Sequence, residues 1–222
     1  MKNYSIAIDG PAGAGKSTIA KKLAAKLGYI YIDTGAMYRA ITLFYVDKGI
    51  NCDNETEVID RLDEIEISIK YIEGTQHVFL NGKDVSGEIR TQAVSDNASK
   101  ISAIAKVREK LVALQQKMAE SENVVMDGRD IGSVVLPNAD LKIYLTASTK
   151  VRAQRRYKEL IEKGQEADLA TIEKEIDERD YRDMHRENSP LVRVPDAKLV
   201  DTSDLNIDEA TGFCLGLFSM VQ

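Results

Sequence analysis

A glycine-rich segment near the start of the chain carries residues of the types that bind phosphate. Gly10 to Ser17 reads Gly-Pro-Ala-Gly-Ala-Gly-Lys-Ser and matches the pattern GxxxxGK[ST] in full. In such a loop the glycines let successive backbone N–H groups point at a phosphate, and the lysine reaches the outer phosphates. The hydroxyl at the last position is a ligand for Mg²⁺, so Ser17 is the candidate metal-binding residue.

The sequence on either side of this segment predicts the elements that position it. Residues 4–8 form an apolar run that ends at Asp9, as in a short strand, and residues 18–27 have apolar positions at helical spacing. The pattern requires this order of strand, loop and helix, because a helix N-terminus adds a positive dipole to the loop. The sequence therefore predicts that the chain binds a nucleoside triphosphate through one continuous set of residues: Gly10, Pro11, Ala12, Gly13, Ala14, Gly15, Lys16, Ser17 and Thr18.

Phosphoryl transfer brings two anions together and requires several cations. Arginine suits this task because its planar fork matches phosphate oxygens. Asp33 ends a second apolar run, Thr34 is expected to cap the following helix, and Arg39 comes about one turn later. An ordinary helix cap with a solvated arginine is an equal alternative for this segment.

A third apolar run ends at Asp127. Phosphate-loop enzymes carry an acid at the end of such a strand, where it orients Mg²⁺ and its waters. Gly128 then allows a close backbone approach and leaves Arg129 and Asp130 at the edge of the sheet where ligands sit. The alternative is a plain turn with no chemistry.

Another group of arginines occurs at helical spacing. Arg152, Arg155 and Arg156 share one helix face, where like charges repel unless an anion compensates them. The phosphates of ATP are one candidate for this anion, and neighbouring acids such as Glu159 are the other.

A fourth group lies further along the chain, again on one predicted helix face. Its spacing alone favours a solvated helix with salt bridges, because several acids are nearby. The group consists of Arg179, Arg182, Asp183 and Arg186.

Composition narrows the class of protein. The chain has 222 residues, a hydrophobic fraction of 43%, a charged fraction of 30% and a formal net charge of −6. These values fit a globular domain with a real core, and the negative charge argues against nucleic-acid binding. Cys52 and Cys214 do not have the spacing of a metal or redox site, and we interpret them as reduced thiols in the core. We assign no functional role to His77 and His185. We see no signal peptide and no bilayer-spanning run, which predicts a cytoplasmic protein without a membrane partner.

Apolar runs alternate with helical patterns along the chain, at residues 4–8, 29–32, 124–126, 141–145 and 198–200. This alternation predicts an α/β fold with a parallel sheet and helices on both faces. Residues 64–71 and 76–80 instead show strand patterns, and the tight-turn signal Asn81-Gly82 follows them, so we predict a small inserted antiparallel meander. Helices are also predicted at residues 92–104, 105–121, 149–163 and 171–186, and from Asn206 onward with a capping box to Glu209.

In this order the motifs resemble those of the bacterial cytidylate kinases, within the nucleoside monophosphate kinases. The resemblance rests on residues 8–18 and 33–39, on Val-Ser-Gly-Glu-Ile-Arg-Thr at 85–91, on Asp-Gly-Arg-Asp-Ile-Gly at 127–132 and on Glu-Arg-Asp-Tyr-Arg-Asp at 178–183. It implies a three-layer P-loop NTPase fold with a five-stranded parallel sheet, an antiparallel inserted subdomain that binds the nucleoside monophosphate, and a helical lid. The implied arrangement is a single kinase domain over residues 1–222, with its core at about 1–62, 92–148 and 190–222, the insert at about 63–91 and the lid at about 149–189.

The resemblance also implies an activity, namely transfer of the γ-phosphoryl group of ATP to CMP or dCMP with Mg²⁺ as the metal. The implied protein is a monomer without a nucleic-acid partner. The implied catalytic set is Lys16, Asp127, Arg129 and Arg156, with Arg156 closing on the transferred group from the lid. Among the residues implied to bind the acceptor nucleotide, Arg39 and Arg129 would clamp its phosphate, Ser99, Arg108 and Asp130 would read cytosine, and Arg179, Asp183 and Arg186 would contact sugar and phosphate, with Thr34 completing the set.

Two other functions stay open at this point. A nucleotide-dependent switch of the GTPase kind needs an Asn-Lys-x-Asp guanine reader, and no Asn-Lys dipeptide occurs in the chain. A kinase for another nucleoside monophosphate or for a small metabolite is the second alternative. An alcohol acceptor would require a general base, whereas the phosphate oxygen of a nucleoside monophosphate is already anionic and requires none.

Overall fold

The computed structural model describes residues 3–221. They divide into two compact units, of which the first comprises the described residues up to Tyr31 and from Ser121 onward, and the second is Ile32–Glu120. The strands are β1 (Ser5–Asp9), β2 (Ile30–Asp33), β3 (Ile67–Ile72), β4 (Thr75–Leu80), β5 (Lys83–Asp84), β6 (Val124–Gly128), β7 (Leu141–Thr146) and β8 (Lys198–Asp201). The α-helices are α1 (Lys16–Leu27), α2 (Thr34–Asp47), α3 (Glu55–Asp60), α4 (Gln92–Ile101), α5 (Ala105–Ser121), α6 (Thr149–Glu162), α7 (Leu169–His185) and α8 (Ile207–Ser219).

The prediction of a five-stranded parallel sheet is confirmed. The strand order is β2-β6-β1-β7-β8, and parallel pairings join β1 to β6, β1 to β7 and β7 to β8. Parallel strands bring their carboxyl ends to the same edge of the sheet. The register pairs Ile8 with Asp127 and Asp9 with Gly128, so the acids that end β1 and β6 lie at this edge.

Apolar side chains of the sheet, α1 and α8 form the core of the first unit. Ile8 of β1 and Leu23 of α1 are fully buried there. The ring of Phe218 lies edge-on against Tyr4 and Tyr29, with centroids 5.9 and 5.8 Å away. Such edge-to-face pairs stabilise a core beyond the burial of their surface. Cys214 belongs to the same cluster, and both it and Cys52 are buried free thiols, as predicted.

The inserted meander is also confirmed and lies in the second unit. β3 and β4 pair antiparallel from Ile67 with Leu80 to Ile72 with Thr75, and β4 pairs antiparallel with β5. Asn81 and Gly82 have φ angles of 47° and 80° between β4 and β5. Positive φ at both central residues is the geometry of the hairpin turn that this dipeptide favours.

Two helix boundaries differ from the prediction. Asp33 rather than Thr34 caps α2, because the extended residue is Asp33, whose carboxylate accepts a hydrogen bond from the Ala36 N–H at 2.8 Å. α4 ends at Ile101 instead of continuing to residue 104. The Ser102 hydroxyl donates to the carbonyl of Ser99, a local bond that competes with helix continuation.

The helices predicted at residues 105–121, 149–163 and 171–186 and from Asn206 onward are confirmed in type and place, whereas α3 was not predicted. α8 begins after Asn206, which forms the expected capping box with Glu209. α6 and α7 pack on each other through a small cluster of Ala153, Ile172 and Ile176. Among the described residues, no helix combines the length and apolar character needed to cross a membrane.

Candidate active site

The loop between β1 and α1 has the backbone geometry of a phosphate cradle. Gly10, Gly13 and Gly15 have φ angles of 148°, 75° and 89°, which only glycine adopts readily. A Cβ atom at Gly10 would lie 1.9 Å from the carbonyl oxygen of Leu145 on β7, so the backbone of the loop touches that strand. The residues of the loop are therefore fixed in a shape that a side chain at Gly10 would prevent.

Lys16 is buried at the start of α1, and its Nζ donates to the carbonyl of Pro11 at 2.8 Å. Burial and, to a smaller extent, the positive charge of Arg129 lower the pKa of Lys16 to about 7, although the carboxylate of Asp127 opposes both effects. Removal from water is thus the main reason why the charged form of the lysine is disfavoured. A bound phosphate would favour its charged form, which is what a phosphate-binding site requires.

Asp127, at the end of β6, is buried and holds two hydroxyl groups. Its Oδ2 accepts from the Ser17 hydroxyl at 2.8 Å, and its Oδ1 accepts from the Tyr31 hydroxyl at 2.7 Å. A serine oxygen and a carboxylate oxygen in contact are hard ligands of the type that Mg²⁺ takes together with substrate phosphates and water. These two residues therefore fit the metal that the sequence predicted. The contribution of Tyr31 was missed, because a tyrosine in an apolar strand looks like a core residue.

Asp9 is buried at the end of β1 and accepts hydrogen bonds from the backbone N–H groups of Ile131 and Gly132, both at 2.7 Å. Burial raises the pKa of Asp9 to about 6, against the lowering effect of these two bonds. The bonds fix the single π-helical turn Ile131–Val135 that follows Asp130. The sequence predicted that Asp9 lies at the ligand edge of the sheet, but it did not predict the hydrogen bonds from Ile131 and Gly132.

Arg129 lies directly after β6 and pairs with Asp183 of α7, with Nε and Oδ2 2.8 Å apart. Burial would raise the pKa of Asp183, but Arg129, with help from Arg179 and Arg186, outweighs it and holds that pKa below the ordinary value. The guanidinium of Arg186 is 3.9 Å from the carboxylate of Asp130, and its Nε donates to the carbonyl of Ser189.

Spacing alone favoured a solvated, salt-bridged face for the arginines of α7, and the structure does not bear this out. Asp183 is buried and the side chain of Arg186 is only 8% exposed, because both face the end of β6. Arg182 is exposed and takes no part in the cluster. The first unit thus gathers eight of the predicted site residues into one charged cluster: Lys16, Ser17, Asp127, Arg129, Asp130, Arg179, Asp183 and Arg186.

The other candidates for the acceptor nucleotide lie in the second unit. Arg39, on α2, is 3.4 Å from the carboxylate of Asp33, and its buried Nε has no hydrogen-bond partner among the described residues. A buried donor without an acceptor is costly, and it suits a site for an anion. Thr34 is the first residue of α2 and is also buried.

Arg108 and Ser99 are on α5 and α4 of the same unit. Arg108 is buried, donates to the carbonyl of Ser102 at 2.8 Å and lies over the ring of Tyr38, 5.3 Å from its centroid. Ser99 is half-buried near the end of α4. These contacts hold the guanidinium of Arg108 in one orientation, as hydrogen-bond readout of a base requires.

The three arginines of α6 have different environments. Arg156 is exposed and pairs with Glu159 at 2.9 Å, which is the alternative that the sequence left open. Arg155 donates to the hydroxyl and the carbonyl of Thr202. Arg152 is buried and pairs with the carboxylate of Asp180, so its positive charge is compensated within the protein.

Comparison with known proteins identifies the family of this chain. Residues 6–218 match the family model described as cytidylate kinase. A cytidylate kinase of Lactobacillus johnsonii is 52% identical over 209 residues, covering 93% of this chain and 91% of the relative. A cytidylate kinase of Caldicellulosiruptor saccharolyticus is 52% identical over 221 residues, covering 100% and 98%.

Among solved structures, a gluconokinase of Sinorhizobium meliloti is similar with a TM-score of 0.52 and 14% identity, over 98% of this chain and 93% of that one. An uncharacterised protein of Eubacterium ventriosum is similar with a TM-score of 0.55 and 14% identity, over 98% and 99%. At this identity the likeness concerns the fold alone. The match over almost the whole sequence and the two relatives at 52% identity show the family: the chain belongs to the cytidylate kinases.

Proposed function

We propose that this protein transfers the γ-phosphoryl group of ATP to CMP or dCMP, giving ADP and CDP or dCDP. The family match over residues 6–218 carries the proposal. The buried cluster of the first unit supports it, because it combines a phosphate cradle with cations for which the acceptor's phosphate supplies the counter-charge.

The donor nucleotide is assigned to the loop of residues 10–18. Its N–H groups and Lys16 would hold the phosphates of ATP, and Ser17 and Asp127 would hold Mg²⁺. When bound, Mg²⁺ neutralises charge on the phosphoryl group that moves. Lys16 has a lowered pKa that a phosphate would raise again, so donor binding keeps its positive charge in place.

The acceptor phosphate is assigned to Arg39 and Arg129. The buried Nε of Arg39 needs an acceptor, and an oxygen of the nucleoside monophosphate would satisfy it. Because that oxygen is already anionic, no residue has to remove a proton from it. The work of the protein is alignment and charge neutralisation, to which Arg156 would contribute from the helix pair α6–α7.

Cytosine recognition is assigned to Ser99, Arg108 and Asp130, on the strength of the family resemblance. A carboxylate accepts from the exocyclic amino group of cytosine, and a guanidinium donates to its ring acceptors. Uracil presents the opposite pattern at both positions, so a buried site of this kind rejects it. Arg179, Asp183 and Arg186 would contact the sugar and phosphate of the same nucleotide.

Several finer points belong to the same proposal. Residues 63–91 act as the insert that binds the nucleoside monophosphate, and residues 149–189 as the lid. The protein works as a monomer in the cytoplasm and does not bind nucleic acid. Its net charge of −6 argues against nucleic-acid binding. Its two free buried thiols support a reducing compartment such as the cytoplasm. Light scattering after size exclusion tests the monomer directly.

The deciding experiment is an acceptor panel. Purified protein with ATP and Mg²⁺ is assayed for ADP release with CMP, dCMP, UMP, AMP and shikimate, and a Lys16→Ala variant controls for contaminating kinases. We expect turnover with CMP or dCMP well above the others and none in the variant. ADP release with AMP or shikimate in preference to the cytidine nucleotides would assign the site to a different acceptor.

A further inference from the structure

The peptide groups at Ala12, inside the phosphate loop, are held by two buried charged side chains from the helix pair α6–α7. Arg152 of α6 donates through Nη1 to the carbonyl of Ala12 at 3.0 Å. Asp180 of α7 accepts from the N–H of Ala12 at 3.4 Å. The same two side chains pair with each other, with Nη1 and Oδ2 2.5 Å apart. One loop residue is thus held at both its N–H and its C=O by a single ion pair.

The remaining donors of Arg152 are directed at protein atoms as well. Its Nε donates to the carbonyl of Ala147 at 2.9 Å, and its Nη2 donates to the Thr149 hydroxyl at 3.1 Å. Four of the five guanidinium N–H groups therefore have acceptors within the first unit. A guanidinium used in this way is a structural support of the loop and is not free to act as a phosphate ligand.

The stem of Arg152 adds a steric contact at the next residue of the loop. A Cβ atom built on Gly13 would lie 3.3 Å from the Cβ of Arg152, and Gly13 has a left-handed φ of 75°. The loop therefore packs its backbone against α6 where it has no side chain of its own. Glycine-rich segments lose much conformational freedom when they become ordered, so a support of this kind lowers the cost of binding a phosphate.

We propose that Arg152 and Asp180 are positioning residues that clamp the phosphate loop at Ala12 and preorganise it for the donor nucleotide. The clamp joins the loop to α6 and α7, the helices that also carry Arg156 and Asp183. The role of the clamp rests on the proposed function in one respect, namely that the loop binds the phosphates of an adenine nucleotide.

The test measures binding of ADP to the full chain by calorimetry, together with the midpoint of thermal unfolding. Arg152→Lys keeps the positive charge but loses the planar guanidinium group. The lysine therefore cannot donate hydrogen bonds to Ala12, Asp180 and Ala147 at the same time. Asp180→Asn has the same shape but places an amide donor against either Ala12 or Arg152, and it serves if Arg152→Lys does not fold. Ile172→Ala is the matched control, because it loosens the packing of α6 on α7 without touching the loop.

We expect each clamp variant to bind ADP about tenfold more weakly, and the double variant to bind no more weakly than the worse single variant. In Arg152→Lys the KM for ATP should rise while the KM for CMP changes less than about twofold. Ile172→Ala should lower the unfolding midpoint and leave ADP affinity as in the parent.

Unchanged ADP affinity in the clamp variants overturns the proposal, and so does an equal loss of affinity in Ile172→Ala. The ADP measurement does not involve the acceptor. Failure of the clamp therefore differs from failure of the proposed function, in which the parent binds ADP but does not phosphorylate CMP or dCMP.

Discussion

The hydroxyl of Tyr31 lies 2.7 Å from Oδ1 of Asp127, and both residues are buried at the ligand edge of the sheet. The other carboxylate oxygen already accepts from Ser17. Tyr31 therefore fixes the orientation of Asp127 from the neighbouring strand β2. Removal of this hydroxyl should leave the carboxylate in place but free to rotate.

Tyr31→Phe should weaken the Mg²⁺-dependent part of nucleotide binding more than it weakens nucleotide binding without the metal. We expect affinity for ADP in the presence of Mg²⁺ to fall about fivefold and affinity in the presence of EDTA to stay as in the parent, because the bond acts through Asp127. Calorimetric titration under the two conditions makes the measurement. Tyr45→Phe is the control, since it removes another buried tyrosine hydroxyl, which donates to the carbonyl of Val58. Both variants should lose about 1 kcal/mol of stability, and an equal loss of Mg²⁺-dependent affinity in both would contradict the role of Tyr31.

Backbone contact at Gly10 gives a prediction about stability. In Gly10→Ala the new methyl group would meet the carbonyl oxygen of Leu145 at 1.9 Å, and the loop or β7 would have to move. We expect a loss of more than ~3 kcal/mol in the free energy of unfolding, or no folded protein. Gly28→Ala is the matched comparison, because Gly28 also has a positive φ of 69° but nothing within 4 Å. It should cost only about 1 kcal/mol. Urea denaturation of the two variants measures these losses. Similar losses of unfolding free energy in both variants would rule out a close approach of Gly10 to the backbone of Leu145.

The sequence indicated the chemistry of the loop and the edge of the sheet because those features depend on neighbours in the chain. The spacing of Gly10 to Ser17 and the acid at the end of an apolar run identified the phosphate cradle and Asp127 before any contact was known. Asp33 and Thr34 are adjacent residues that both make good caps, so only the backbone angles distinguish them.

The partners of the charged helices could not be predicted in this way. Helical spacing shows that Arg152 shares a face with Arg155 and Arg156, but not that this guanidinium meets Asp180 and Ala12 from distant segments. The same applies to Asp183, whose burial depends on Arg129, 54 positions earlier. Long-range pairing decides whether an arginine is a ligand, a support or a solvated charge, and periodicity carries no information about it.

Burial of Asp9 gives a prediction about the pH dependence of stability. Its pKa is about 6 in the folded protein and 3.8 is the ordinary value, so the folded state binds the proton more tightly than the unfolded state. This contribution to stability is fully present below pH 3.8 and is lost as the pH rises through about 6. The change corresponds to ~3 kcal/mol.

The comparison with Asp9→Asn isolates this effect, because asparagine does not titrate. We expect the free energy of unfolding of the parent, minus that of the variant, to fall as the pH rises from about 4 to about 6.5 and then to level off. Urea denaturation at intervals across this range provides the curve. A difference that stays flat, or that grows with pH, would show that Asp9 is charged in the folded protein throughout.

Selection of the base gives the last prediction. Asp130 is buried after β6, and the turn that follows it is held by Asp9, so its carboxylate has a fixed position. Asp130→Ala should lower the ratio of kcat/KM for CMP over UMP by about tenfold to a hundredfold, because it removes the acceptor for the amino group of cytosine. Affinity for ADP should change little, since the donor loop keeps its contacts. Asp196→Ala, which removes an exposed carboxylate paired with Lys142, is the control and should leave the ratio as in the parent. If Asp130→Ala retains the preference of the parent for CMP while losing activity with both nucleotides equally, the carboxylate serves the phosphate-binding arginines and the base is read elsewhere.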